Sequence, residues 1–201
     1  MIFQSKQLDL KRCPHCGVDT PNLYKVQEFD THDHEQSNFR TWAIYTCKRC
    51  GGVVTTSAQK NDMHREIEEL YPLPLTVNES IPEKAKTYLN QAINTINSPS
   101  GSVMLSASAI DAMLKEIGYL EGKLFARIKK AAEEHIITES MSEWAHEVRS
   151  VANDERHADA SSDLPTEIEA RKSVDFALAL AEFLFVLPSK VQKGLADAKK
   201  N

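Results

Sequence analysis

Apolar and polar positions repeat with two different periods along this chain, and the change of period divides it. In the first 60 residues the apolar positions come in short runs, and residues 41–46 (TWAIYT) and 53–56 (VVTT) read as strands because they are rich in β-branched and aromatic residues. From residue 80 the spacing becomes helical. Ala85, Tyr88, Leu89, Ala92, Ile93 and Ile96 form one stripe, and Val103, Ala107, Ile110, Leu114 and Ile117 form a second that stops at Gly118, a C-cap. Leu124, Ile128 and Ala131 give a third over about residues 123–134. Met141, Trp144, Ala145, Val148, Val151 and Ala152 give a fourth. The fifth, residues 166–187, is apolar nearly all round beyond Val174 and is expected to be the central, most buried helix. Ser80 with Glu83, and Ser140 with Glu143, stand at capping-box spacing. Five helices with short connections predict a bundle.

Between the two regimes, residues 61–70 read as a short polar helix. Residues 71–75 (YPLPL) read as extended chain, since a residue before proline is pushed out of the helical region. The expected organisation is a zinc-ribbon module over 1–60, a linker over 61–79, a helical bundle over 80–188 and a basic, flexible tail over 189–201. The fold class is thus mainly α, with a small β module in front.

Charge and cysteine usage narrow the function. The 201 residues carry a net charge of −5, which argues against a general nucleic-acid coat protein. Residues 1–60 hold eight Lys/Arg against six Asp/Glu, so a polyanion contact is expected through the N-terminal module or a local patch. The longest apolar run, residues 176–187, is twelve residues and too short to span a bilayer. The first residues lack the apolar core of a signal peptide. A cytoplasmic protein without membrane association is expected, and all four cysteines in CxxC pairs suit a reducing compartment.

Cys13-Pro-His-Cys16 and Cys47-Lys-Arg-Cys50 each offer two thiolates from a tight turn. Two such knuckles supply the four tetrahedral ligands of a structural Zn²⁺ and leave no open position for catalysis. Gly17, Gly51 and Gly52 stand where the backbone must bend round the metal. His15, inside the first knuckle, is expected beside the site rather than on the metal. His32 and His34 fall in a polar stretch that reads as an exposed loop. Lys11, Arg12, Lys48 and Arg49 flank the cysteines, where their first role is to offset the charge of a metal tetrathiolate.

The fourth helix carries a second pattern. Counting about 100° per residue from Val148, Arg149 lies about 100° away, Asn153 about 140° and His157 about 180°. A cation, an amide and an imidazole therefore share a ridge off the buried stripe, bordered by His146 and Arg156.

The order of a CxxC module, a YP linker, a helix ending in AIDAMLKEIG, the segment GKLFARIKKA and a helix with VRSVANDERHAD resembles the family catalogued as domain of unknown function 4145. Its most specific element is Arg-x3-Asn-x3-His, here Arg149, Asn153 and His157. That family is similar to the HEPN superfamily of helical proteins, many of them metal-independent ribonucleases of toxin, phage-defence and RNA-processing systems. Active sites there form where two copies of an Arg/His motif meet across a homodimer. The resemblance implies an HEPN-like bundle, a homodimer, an RNA or protein partner and a defence or nucleic-acid context. The motif here has seven residues between Arg149 and His157, and Ser150 where that superfamily has a polar amide.

Two functions follow. In one the chain is a non-catalytic interaction or assembly module, its ridge a hydrogen-bonded brace. In the other, His157 moves the proton of a ribose 2′-hydroxyl, Arg149 holds the phosphate oxygens and Asn153 orients them, so that the homodimer cleaves RNA without a metal. Whether the chain is an enzyme stays open on sequence grounds.

Overall fold

Among the described residues, five strands pair in chain order into one sheet, every neighbour antiparallel, and six α-helices follow them. This computed structural model describes residues 1–60, 63–157 and 163–199, and of Arg156 and His157 the backbone alone. The chain divides into two units, Met1–Leu75 and Thr76–Asn201. Among the described residues no helix is long and apolar enough to cross a membrane.

In the first unit, β1 (Gln7–Leu8), β2 (Leu23–Thr31), β3 (Arg40–Cys47), β4 (Val53–Gln59) and β5 (Ile67–Tyr71) form the sheet. β3 shows the period of two: Thr41, Ala43, Tyr45 and Cys47 are buried, and the residues between them are half-covered. The buried face packs with Leu8, Leu10, Leu23, Val54 and Cys13. Gln4 ties it together from below, its amide donating to the carbonyls of Thr41 and Thr56 at 3.0 and 3.2 Å.

The polar helix expected over 61–70 is instead β5, and the linker expected over 61–79 is, up to Leu75, part of this unit. Residues 61 and 62 lie outside the described residues. The acidic run around β5 conceals a strand because its charges find partners across the sheet. Glu69 faces Ser57 in register and accepts from its hydroxyl at 2.9 Å, with Arg40 at 3.3 Å.

The helical unit comprises α1 (Glu83–Asn94), α2 (Pro99–Glu116), α3 (Leu124–Glu133), α4 (Glu139–His157), α5 (Glu167–Ala181) and α6 (Leu187–Ala198). The central helix is α2, not the last one as the apolar pattern predicts, for α2 packs against α1, α3, α4 and α5. Serine disguises this. Ser102 and Ser106 are fully buried, and their hydroxyls donate to the carbonyls of Ala92 (2.8 Å) and Ser102 (2.9 Å). A serine satisfied this way fills core like an alanine. Gly118 does close α2: at φ +104° it lets Tyr119 N–H reach back to Leu114 O at 3.0 Å.

Two expected capping boxes do not form. α1 starts after Pro82 without a side-chain cap, and Ser80 bonds Ser189 instead. α4 opens earlier, with Thr138 Oγ1 accepting from Met141 N–H at 3.2 Å. The complete box lies at Thr166 and Glu169, on α5.

Pro188 does not stop the last helix. A π-helical turn, Glu182–Val186, joins α5 to α6, and Leu187 N–H reaches five residues back to Glu182 O. The wider turn relocates the backbone bond that Pro188 cannot make. The tail expected to be flexible is therefore α6, up to Ala198, although none of its residues is buried.

Candidate functional site

Two places gather chemistry. In the first, the sulfurs of Cys13, Cys16, Cys47 and Cys50 all lie within 4.8 Å of one another, Cys13 and Cys50 at 3.9 Å. Four sulfurs on a tetrahedron about 2.3 Å from a central ion stand about 3.8 Å apart, so the donor set fits a metal. Each knuckle turns on a glycine with positive φ: Gly17 at +68°, donating to Cys13 O, and Gly51 at +71°, donating to Cys47 O. Burial pushes the Cys13 thiol up to about 12, against the opposing pull of N–H groups from Cys16 and His15. Cys47 moves down: its burial is outweighed by N–H donors from Cys50 and Arg49 and by neighbouring thiols. Backbone donors aimed at sulfur favour thiolate, the form that ligates.

His15 is no ligand. Its Nε2 stands 2.7 Å from the carbonyl of Val53. A Cβ on Gly52 would lie 2.4 Å from its ring, so only glycine fits there. Arg12 donates to Gly17 O at 2.8 Å and pairs with Asp19, holding the first knuckle. His32 and His34 stay apart from any metal-like cluster among the described residues.

The second place is a cleft of about 490 Å³ in the helical unit. α1 contributes Lys84 and Tyr88, and α2 contributes Ser108, Asp111 and Lys115. Lys123, Phe125 and Arg127 come from the start of α3, with Arg149 and Asn153 from α4. Two members of the ridge read from the sequence thus line one cleft. The side chain of His157, and residues 158–162, lie outside the described residues.

Arg149 lies over the Phe125 ring, 5.4 Å from its centroid, and the imidazole of His146 packs on the same ring at 4.7 Å. Nε of Arg149 and Nδ1 of His146 are buried without a hydrogen-bond partner among the described residues. No hydrogen bond links Arg149 to Asn153 among the described residues, and the turn at 161–165 to which the ridge is expected to be braced lies partly outside them. Burial, and next the charge of Arg149, push His146 below the ordinary histidine range, so it stands neutral beside the cation.

Five cations meet one carboxylate in this lining. Asp111 takes two of them: Arg127 Nη1 at 2.6 Å and Lys115 Nζ at 2.5 Å. Arg127, only 10 % exposed, also donates to Leu120 O at 3.0 Å and so pins the turn between α2 and α3. Lys84, Lys123 and Arg149 make no ion pair among the described residues. The N-terminal unit, by contrast, holds nine Lys/Arg against ten Asp/Glu over residues 1–75, a balance of −1. The excess of two over residues 1–60 is offset by the acids of 61–75 that belong to the same unit, while the cleft gathers five cations round one carboxylate.

Sequence reasoning missed Lys84, Asp111, Lys115, Lys123, Phe125 and Arg127 as one site. The signal was present in Arg127, a cation between Leu124 and Ile128 on an inward stripe, which must find a partner when buried.

The model of the family described as Domain of unknown function (DUF4145) matches residues 90–198, from within α1 to the end of α6. No curated protein and no solved structure matches the chain.

Proposed function

Taking as premise that the chain belongs to the DUF4145 family, we propose that it is a non-catalytic interaction module of a nucleic-acid-associated system, and that its helical unit holds a phosphate-bearing strand in the α1–α4 cleft. The observation that carries this reading is the trio Lys84, Lys123 and Arg149, which make no ion pair among the described residues, around the aromatic side chains Tyr88 and Phe125. Cations attract phosphates and aromatic faces accept bases, and a concave wall holds both in one geometry. Phage defence is the context that the family resemblance suggests. The four-cysteine cluster is, in this reading, a structural zinc centre that holds the β unit folded.

The test is fluorescence anisotropy of a labelled ten-nucleotide single-stranded RNA against the full, metal-loaded chain. Each phosphate contact on a single strand contributes about −0.7 to the slope of log K against log salt, so three contacts give about −2. Arg149→Ala should weaken binding and reduce that slope by about 0.7. Binding that ignores salt, or an Arg149→Ala protein that binds as the parent does, refutes the proposal.

A second reading, metal-free RNA cleavage by Arg149, Asn153 and His157 from two copies of the chain, draws support from Arg149 and Asn153 lining the same cleft. RNA hydrolysis lost in His157→Ala would establish it, and an intact substrate with the parent protein would end it.

A further inference from the structure

A carboxylate among cations weakens an anion site, yet Asp111 stands in the wall of this one with its side chain 23 % exposed. Two oxygens offer about four acceptor positions. Arg127 takes one on Oδ1 and Lys115 takes one on Oδ2. Acceptor capacity remains on both oxygens, and Leu120 O fixes Arg127, so the carboxylate is held in one orientation. An oriented, ionised acceptor beside cations that make no ion pair among the described residues matches a ligand that carries a hydroxyl donor near its phosphate. In a polynucleotide that donor is the 2′-hydroxyl, and it is what distinguishes ribose from deoxyribose.

We infer that Asp111 is a specificity-determining residue: fixed by Arg127 and Lys115, its carboxylate accepts a hydrogen bond from a ribose hydroxyl, so that the cleft prefers a ribonucleotide strand to its deoxy counterpart. This rests on the strand-binding reading above and adds a selectivity to it. Arg127 is the positioning residue. The preference comes from differential pairing: with a deoxy strand the carboxylate loses its water on that side and gains nothing in return.

The experiment compares three labelled ten-nucleotide strands of one sequence, RNA, DNA and 2′-O-methyl RNA, by anisotropy at low salt with the full, metal-loaded chain. RNA is expected to bind about tenfold tighter than DNA, as a hydrogen bond to a charged acceptor supplies. The 2′-O-methyl strand, which cannot donate, should bind like DNA. In Asp111→Ala, which leaves no acceptor at that position, the RNA preference should collapse while DNA affinity holds or rises, because a repulsive charge has gone. A purely structural role would lower both affinities together. Equal binding of RNA and DNA by the parent overturns the inference without any variant, and if Arg149→Ala still weakens both strands the cleft reading stands. An Asp111→Ala protein that keeps the full RNA preference also overturns it. Failure of every strand to bind removes the cleft reading and this inference with it.

Discussion

Replacing Arg127 with methionine removes a charge but keeps most of the apolar stem, and this isolates what the guanidinium holds in place. The side chain is 10 % exposed and makes two short bonds, to Asp111 at 2.6 Å and to Leu120 O at 3.0 Å. A hydrogen bond involving a charged group contributes about 1.5–3 kcal/mol. The upper sum is not reached, because Asp111 is partly exposed and keeps Lys115 after the substitution. We expect Arg127→Met to cost about 3 kcal/mol, most of it for leaving a carbonyl and half of a carboxylate without their donor. In a helical unit of this size that lowers Tm by about 10 °C. Asp111→Asn alone should cost about 1–2 kcal/mol, since the amide oxygen still accepts. The double variant should fall short of the sum by about 1 kcal/mol or more, as two groups in contact must. Urea unfolding followed by circular dichroism at 222 nm, which reports the helices, measures all four proteins. Additive costs, or an Arg127→Met protein within about 0.5 kcal/mol of the parent, would show that the pair is not the anchor of the α2–α3 turn.

Chelation should release one equivalent of zinc, read with a colorimetric zinc indicator, and unfold the β unit while the 222 nm signal of the helices persists; Cys50→Ser should lower the metal content in the same way. Retention of sheet structure after complete metal loss would contradict this. His146 contributes a pH dependence of known sign. Its folded-state pKa lies below the unfolded value, so as pH falls through about 6.5 the unfolded chain takes the proton first and stability declines. Above that range the contribution is constant. His146→Phe should flatten the stability curve between pH 7 and 5.5, and identical slopes for parent and variant would refute the assignment.

What could be read from the sequence was whatever depended on local spacing. Two CxxC pairs and their glycines sufficed for the sulfur cluster, because the knuckle geometry is encoded within a few residues. The helical stripes and the Gly118 stop were likewise local, and the stripe on α4 holds in Ala145, Val148 and Ala152, all buried, though Trp144 is 39 % exposed and packs on Phe176. The failures had distant causes. β5 looked like a polar helix because its acids are answered by Ser57 and Arg40, far away in sequence. α2 did not stand out as the central helix because its serines bond backbone within the core. The cleft stayed hidden because its lining comes from four helices, and no single stretch contains more than a fragment of it.

The π turn between α5 and α6 has a consequence for everything beyond it. A regular helix would carry the inward row of Ala177 and Leu180 on through Leu184 and Leu187 to Val191. One extra residue in the turn sets the later positions back by roughly 100°. Leu187, Val191 and Leu195 are 49 %, 53 % and 59 % exposed, and no residue of α6 is buried, so beyond the turn the helix buries no row whatever its phase. The inward row of α5 thus ends at the π turn, and the apolar side chains that follow it in sequence lie uncovered.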